Sequence, residues 1–537
     1  MKKYIFISLL LSCCLSFACS GILDEDPKGD VSGGNFFTDE ENALSNVTDL
    51  YNALGDANVY TRQAMMVMEF GTDLGTRSPS DNWPTLDPIA TYTHDAAAQR
   101  IGWVWRDCFL YIRNANLSIA NIDAMDGSLF KHVPKERLLA EARFIRAFLY
   151  FHLTNFFGDV PVITEPVAEL APYLQLPRTA ASKVRTETVL PDLQYAAEHL
   201  PEFDEYGAGD AGRASRSAAL GLMAKVYLFE KDYAACEAVC RTLYGEGKRG
   251  LLPYYPQVFD SQYNNSRESL LAAQALIEKK ELPAQTTCYG DFTEDDDSPY
   301  NNGSAIMPLL PFASYYVPEA DRWYDTANDV RWRFNFRLAS QAKFDELAAG
   351  TGTTAKHLGA GIRYEGRLVR TPYIVKFCDV NNRRPDRSGT SLNFPILRWA
   401  DVLLMYAEAL NEQGRPGEAF AYLNEVRKRA YTNEDGSVNP GWKLEGLSQE
   451  ALRAAILKER ALELCYEGHR RFDLSRTGTL VAAIRGVTHL DDIRFLFSEP
   501  YYPAEAARNV REHHRLFGVP ATEITLNEKL LPQNEGY

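Results

Sequence analysis

Three short stretches combine flat aromatic rings with hydrogen-bonding side chains. "TRSPSDNWPTLDPIATYTHD", 76–95, sets Trp83 beside Asp81 and Asn82, with Tyr92 further on. "PEADRWYDTANDVRWRF", 318–334, sets Trp323 and Tyr324 beside Asp321 and Arg322, and "SPYNNGS", 298–304, adds Tyr300, Asn301 and Asn302. Pyranose rings have apolar faces that lie on Trp or Tyr, while carboxylates, amides and guanidinium groups take the hydroxyls. These stretches therefore predict a sugar-binding surface built from Asp81, Asn82, Trp83, Tyr92, Tyr300, Asn302, Trp323 and Tyr324. The plainer use of any one of them is packing or loop anchoring. Trp103 and Trp105 sit in a helical run and Trp399 in another, so they read as core.

Other candidate chemistries fail on spacing. Glu459 and Glu463 share one helix face with Arg460 and Arg470 nearby, which reads as an ion network between helices and not as a glycosidase pair. "DFTEDDDSPYNNG", 291–303, clusters oxygen ligands but lacks the glycine and glutamate of a calcium loop, so it reads as a solvated acidic loop. "GAGDAG", 207–212, has the letters of a dinucleotide fingerprint without the preceding strand. His513 and His514 are adjacent and diverge on a helix, and no zinc signature or nucleophile elbow occurs. No catalytic residue, metal site or cofactor is expected.

The elements that must position the sugar candidates are helical. In "MYAEALNEQGRPGEAFAYLNEVRKR", 405–429, apolar and small residues recur at helical spacing on both sides of a Gly-Arg-Pro-Gly break. Leu403, Tyr406, Ala407 and Leu410 face one way, and Ala419, Leu423 and Val426 answer them. "SAALGLMAKVYLFEKDYAACEAVCRTLY", 217–244, repeats the register: Ala224 and Cys236 are twelve apart, as are Ala407 and Ala419. This is tetratricopeptide spacing, with small residues where two helices touch, and it makes Cys236 and Cys240 core residues and not metal ligands. A third stripe, Phe144, Ala147, Phe148 and Phe151, has its partner helix only near 183–200, and 451–478 is a fourth helical region. The stretches at about 60–110, 245–330 and 345–395 read as irregular, and loops of that length commonly carry function. The fold class is mostly α: a tetratricopeptide-like helix-pair scaffold with a long-loop, irregular ligand-binding subdomain.

The N-terminus bears on the compartment. Lys2 and Lys3 precede an uncharged apolar run, Tyr4 to Ala18, which fits a secretory signal followed by a lipid-accepting Cys19. Cys13 is an alternative acceptor that leaves a shorter apolar region, and an ordinary cleaved signal is the alternative to both. Six cysteines follow, Cys108, Cys236, Cys240, Cys288, Cys378 and Cys465, and spacing does not pair them. The chain of 537 residues carries a net charge of −15 and no dense Lys/Arg run, which argues against nucleic acid as a partner. At 45% hydrophobic and 24% charged it is globular.

Several segments, in order, resemble the SusD/RagB family of Bacteroidetes outer-membrane lipoproteins: "FACSGILDEDPKG", "FFTDEENALSNVTDLYNAL", "AEARFIRAFLYFHLTNFFGDVPVITEP", "FPILRWADVLLMYAEALNEQGRPGEAFAYLNEVRKRA", "ILKERALELCYEGHRRFDLSRTG" and the closing "LPQNEGY". The resemblance implies a lipid-anchored, cell-surface protein that binds oligosaccharide without cleaving it. It would cap a SusC-type TonB-dependent outer-membrane transporter, with the helix pairs packing on the transporter and the loops holding ligand. It implies a signal peptide at 1–18, an N-terminal helical region at 19–245, a loop-rich region at 246–395 and a C-terminal region with repeat helices at 396–537. A same-fold surface adaptor or peptide-capturing protein without a sugar site is the alternative.

Overall fold

The computed structural model describes residues 36–77, 84–167, 172, 174–275, 306–309, 323–337, 362–364, 367–369, 373–377, 390–487, 494–495 and 502–537. Cys19, Cys288, Cys378 and the acidic stretch 291–303 lie outside them.

The described part is mostly helical. Its principal helices are α1 (Glu40–Leu50), α2 (Arg62–Glu69), α3 (Gln99–Ala124), α4 (Lys135–Phe157), α5 (Leu190–His199), α6 (Arg216–Phe229), α7 (Tyr233–Glu246), α8 (Val330–Asn335), α9 (Trp399–Glu412), α10 (Pro416–Ala430), α11 (Gln449–Glu463) and α12 (Arg470–Thr477). Their ends follow local chemistry. The Ser215, Asp232 and Ser448 side chains accept amides of the first turns of α6, α7 and α11. Gly414 takes φ 75° at the turn between α9 and α10, and Pro416 opens α10 at its first position.

Consecutive helices pack in order, α3 on α4, α4 on α5, α5 on α6 and α6 on α7. Then α7 packs on α9, although a long stretch of chain separates them, and α9, α10 and α11 continue the stack. At the tight crossings Ala224, Cys236, Ala407 and Ala419 are fully buried, as the twelve-residue spacing predicts. Cys108, Cys236, Cys240 and Cys465 are buried free thiols.

Strands occur only as short antiparallel pairs and one three-stranded patch among the described residues. Strand β1 (Gly75–Arg77) pairs with β3 (Ile306–Pro308), and β2 (Ser269–Ala273) pairs with β4 (Phe394–Arg398). The expectation of an irregular 60–110 needs correction: α2 and most of that span's last third are helix. Residues Gln63 to Glu69 of α2 are all buried, polar Gln63 and Glu69 included, so the helix is enclosed by the core and has no wet face.

Glu459 and Glu463 form an ion network with partners other than the expected Arg460 and Arg470. Arg331 Nη1 lies 2.7 Å from Glu459 and 3.0 Å from Glu463, Arg427 is 2.7 Å from Glu459, and Arg398 is 2.7 Å from Glu463. Arg460 instead holds Asp401 and Asp473, and Arg470 holds Asp73. The stretch 207–212 is a loop before α6, as expected; Asp210 there binds Arg137 and Arg213.

Candidate sugar-binding face

The site begins at β1. Its last residue, Arg77, is the register partner of Ile306, and its first, Gly75, is the partner of Pro308. In sequence, Arg77 is followed by the stretch of Asp81, Asn82 and Trp83, and Ile306 is preceded by that of Tyr300 and Asn302. Those five residues lie outside the described residues, and so do Asp321 and Arg322. Their tethers are well defined. Arg77 Nη1 lies 2.6 Å from the carboxylate of Asp87, which opens the short helix Asp87–Thr91, so the end of β1 is tied to that helix. Leu309 donates its amide to the Leu74 carbonyl at 2.9 Å, extending the β1–β3 pairing by one bond.

Trp323 approaches from the other end of β1. Its ring is half-buried against the core, with the Arg470 guanidinium 5.4 Å from its centroid. Arg470 in turn grips Asp73 with two hydrogen bonds of 2.8 and 2.6 Å. Asp73 precedes β1 by two residues, so one buried ion pair fixes both the start of the strand and a cationic group beside the indole. That combination, a partly open ring with fixed polar neighbours, can stack an apolar face and orient hydroxyl groups.

Two of the predicted site residues are corrected. Tyr92 is buried at 3% exposure, takes φ 58° at the end of Asp87–Thr91, and donates its hydroxyl to the Gly71 carbonyl. Gly71 itself has φ 70°, and a Cβ there would sit 2.9 Å from the Tyr92 ring. Tyr324 is equally buried and donates to the Leu462 carbonyl at 3.0 Å. Burial pushes both phenols above their ordinary range. Both rings are structural supports under the face and not stacking platforms. Trp105 and Trp399 are core, as predicted, while Trp103 is half-buried with Arg100 over its ring at 4.6 Å. His514 is buried, and burial first, then neighbouring His94, His513 and arginines, holds its pKa down to about 3. Among the described residues no group of His, Cys, Asp or Glu could hold a metal ion.

Arg77, Asp87 and Asp73 organise this face and were missed in the sequence, which assigned the fourth organising residue, Arg470, to the Glu459–Glu463 network. Nothing in local spacing links Asp73 to Arg470, which lies at the far end of the chain; only the fold brings them together.

The comparisons with known proteins agree with this architecture. A sequence model of the SusD family matches residues 294–537, and one described as starch-binding, associating with the outer membrane, matches residues 23–228. The chain is similar to the SusD-like protein P25 of Formosa agariphila, at 29% identity over 99% of this chain and 98% of that protein. Its fold is similar to that of a SusD homolog from Bacteroides thetaiotaomicron, with a TM-score of 0.76 and 24% identity, covering 95% of this chain and 99% of the other. It is also similar to a laminarin-binding SusD-like protein, with a TM-score of 0.70 and 24% identity over 93% and 100% of the two chains.

Proposed function

Because the chain belongs to the SusD/RagB family, we propose that it is a non-catalytic glycan-binding lipoprotein of the cell surface, anchored through Cys19. It delivers oligosaccharide to a SusC-type TonB-dependent transporter in the outer membrane. The family description joins starch binding to outer-membrane association, and one fold relative binds laminarin, so a glycan is the ligand class to test first. The observation that carries the reading is half-buried Trp323, held near the start of β1 beside the Arg470–Asp73 ion pair, and the β1–β3 pairing of the strands that adjoin the two polar-aromatic stretches in sequence supports it. Binding by stacking and hydrogen bonds asks no chemistry of the protein; its selectivity comes from ring placement, and energy for uptake comes from the transporter.

Affinity electrophoresis and calorimetry against a glycan panel that includes starch and laminarin oligosaccharides, with product analysis, test this. The expected result is retarded migration with intact glycan. Trp83→Ala and Trp323→Ala should each weaken binding at least tenfold while the thermal transition persists. Unchanged affinity in both variants overturns the site, and released shorter sugars overturn the non-catalytic reading. Loss of the lipid adduct in Cys19→Ser, read by mass spectrometry of the mature protein, tests the anchor.

A further inference from the structure

A second groove lies away from the β1–β3 face, where the end of α7 meets α10. It encloses about 500 Å³ and is lined by Tyr244, Gly250, Arg267, Trp399, Glu425 and Lys428, among others. That volume falls within the range of small-ligand sites. The walls are held from behind. Arg249 is buried, bonded to Glu202, Ser215 and Ser217, and sits 3.8 Å over the Phe203 ring. Arg429 is buried and bound to Glu268 and Glu463. The loop that forms one wall, 247–253, is therefore anchored from behind by buried side chains.

Three features point to a ligand. The Tyr244 ring is 43% exposed, yet its inner side is fixed: it stacks parallel to Trp399 at 6.2 Å and meets Tyr422 edge-on at 5.1 Å. An open aromatic face of defined orientation is a platform for the apolar side of a ring. Next, two cations on the rim have no carboxylate in contact among the described residues. Arg267 donates only to the Arg249 carbonyl, at 3.2 Å, and Lys428 has just the Trp442 ring, 6.0 Å away. The arginines of the same region behave otherwise: Arg415, Arg427, Arg429 and Arg453 each hold a carboxylate. Glu425 attracts Arg267 across the groove without contact and Lys428 adds a second positive charge, so these three side chains leave the rim positive in a chain of net charge −15. Last, Gly250 leaves room for the Arg267 guanidinium, since a Cβ there would stand 2.0 Å from its Nη2. Glu425, hydrogen-bonded by the Tyr244 hydroxyl at 3.2 Å, supplies an acceptor at the platform's edge.

We infer that this groove binds an acidic sugar unit, one bearing a carboxylate or a sulfate ester, with its ring on Tyr244 and its anion between Arg267 and Lys428. The inference does not depend on the β1–β3 face, because no residue is shared between the two.

Calorimetry with a galacturonate trimer, a sulfated galactose trimer and the neutral galactose trimer tests it, with a poly-glutamate peptide as a competitor. One or both anionic sugars should bind, with affinity falling as salt rises, and which one binds identifies the anion. Lys428→Gln combined with Arg267→Gln should reduce that affinity at least tenfold; both side chains are exposed, so folding is preserved. Gly250→Ala should act in the same direction by displacing Arg267. Trp323→Ala should leave it unchanged, which separates this site from the other face. Failure of both anionic trimers to bind, equal affinity in the double variant, equal affinity for the neutral trimer, or preferential binding of poly-glutamate each overturns the inference.

Discussion

Glu69 shows how a single buried carboxylate sets a pH response. It is fully buried at the end of α2, and its Oε1 accepts the Gly468 amide at 2.8 Å. Burial pushes its pKa up to about 7, against the opposing pull of that amide and of Lys376. The folded state then holds a proton that the unfolded chain releases near the ordinary value of 4.5. The stability it contributes is present below 4.5 and is lost as pH rises through 7, a change of about 3 kcal/mol at most. Four histidines act with the opposite sign. Burial holds His94, His469 and His514 down to about 3 and His152 to about 4. Their contribution is complete above 6.5 and falls as pH drops toward those values, because the unfolded chain takes up protons first. The wild-type protein should therefore lose thermal stability on acidification from pH 7 to 5, since the histidines outnumber Glu69. Glu69→Gln should raise the melting temperature at pH 8 and steepen that acid loss. A variant whose melting temperatures shift equally at pH 5 and pH 8 would show that Glu69 does not titrate between them.

The helix pairs were legible in the sequence because their signal is local: a small residue every twelve positions across a Gly- or Asp-capped turn needs no knowledge of distant chain. The irregular side was less so. Tyr92 and Tyr324 have the composition of a sugar platform, but their phenols are claimed by the Gly71 and Leu462 carbonyls, contacts that spacing cannot reveal. Likewise, the pairing of Glu459 and Glu463 with each other's network was readable, whereas their partners Arg331 and Arg398 come from outside the helix. How the helix stack meets the strands is also a matter of fit. Gly221 of α6 faces β2 and β4, and a Cβ there would lie 2.8 Å from Leu270 Cδ2 and 3.0 Å from Leu397 Cδ2. Gly221→Ala sets a gain in helix propensity of about 1 kcal/mol against a clash that flexible leucine tips relieve, so its net effect should be small. Gly221→Val adds branched bulk that cannot be relieved and should cost about 1–3 kcal/mol. Denaturation of the two variants side by side checks this; a Val variant as stable as Ala would mean that α6 is not tightly seated on the β2–β4 pair.

At the scale of the whole molecule, the last residues fasten parts that are far apart in the chain. Gln533 exchanges two hydrogen bonds with Val519, at 2.8 and 2.7 Å. Asn534 donates to the Phe157 carbonyl at the end of α4, at 2.8 Å, and to the Phe517 carbonyl at 2.6 Å. Tyr537 donates to the Leu516 carbonyl and lies 3.0 Å from His94 Nε2. Gly536 has φ 85°, and a Cβ there would be 2.4 Å from the His513 ring, so only glycine lets the tail close in this way. His94 follows the short helix Asp87–Thr91 that is tied to β1 by Arg77, which makes the tail a support for the wall formed by that helix and the end of β1. Removing 533–537 strips five hydrogen bonds to the main chain at Phe157, Leu516, Phe517 and Val519, about 5 kcal/mol at roughly 1 kcal/mol each. The truncated protein should melt lower and exchange the amides of 84–98 faster, and glycan affinity at the β1–β3 face should fall while binding in the Tyr244 groove persists. Gly536→Ala should reproduce the exchange at 84–98 with a smaller loss of stability, because Gln533 and Asn534 stay bound. Protection of 84–98 that is unchanged in both variants would separate the tail from that wall and leave it a purely local clasp on α4.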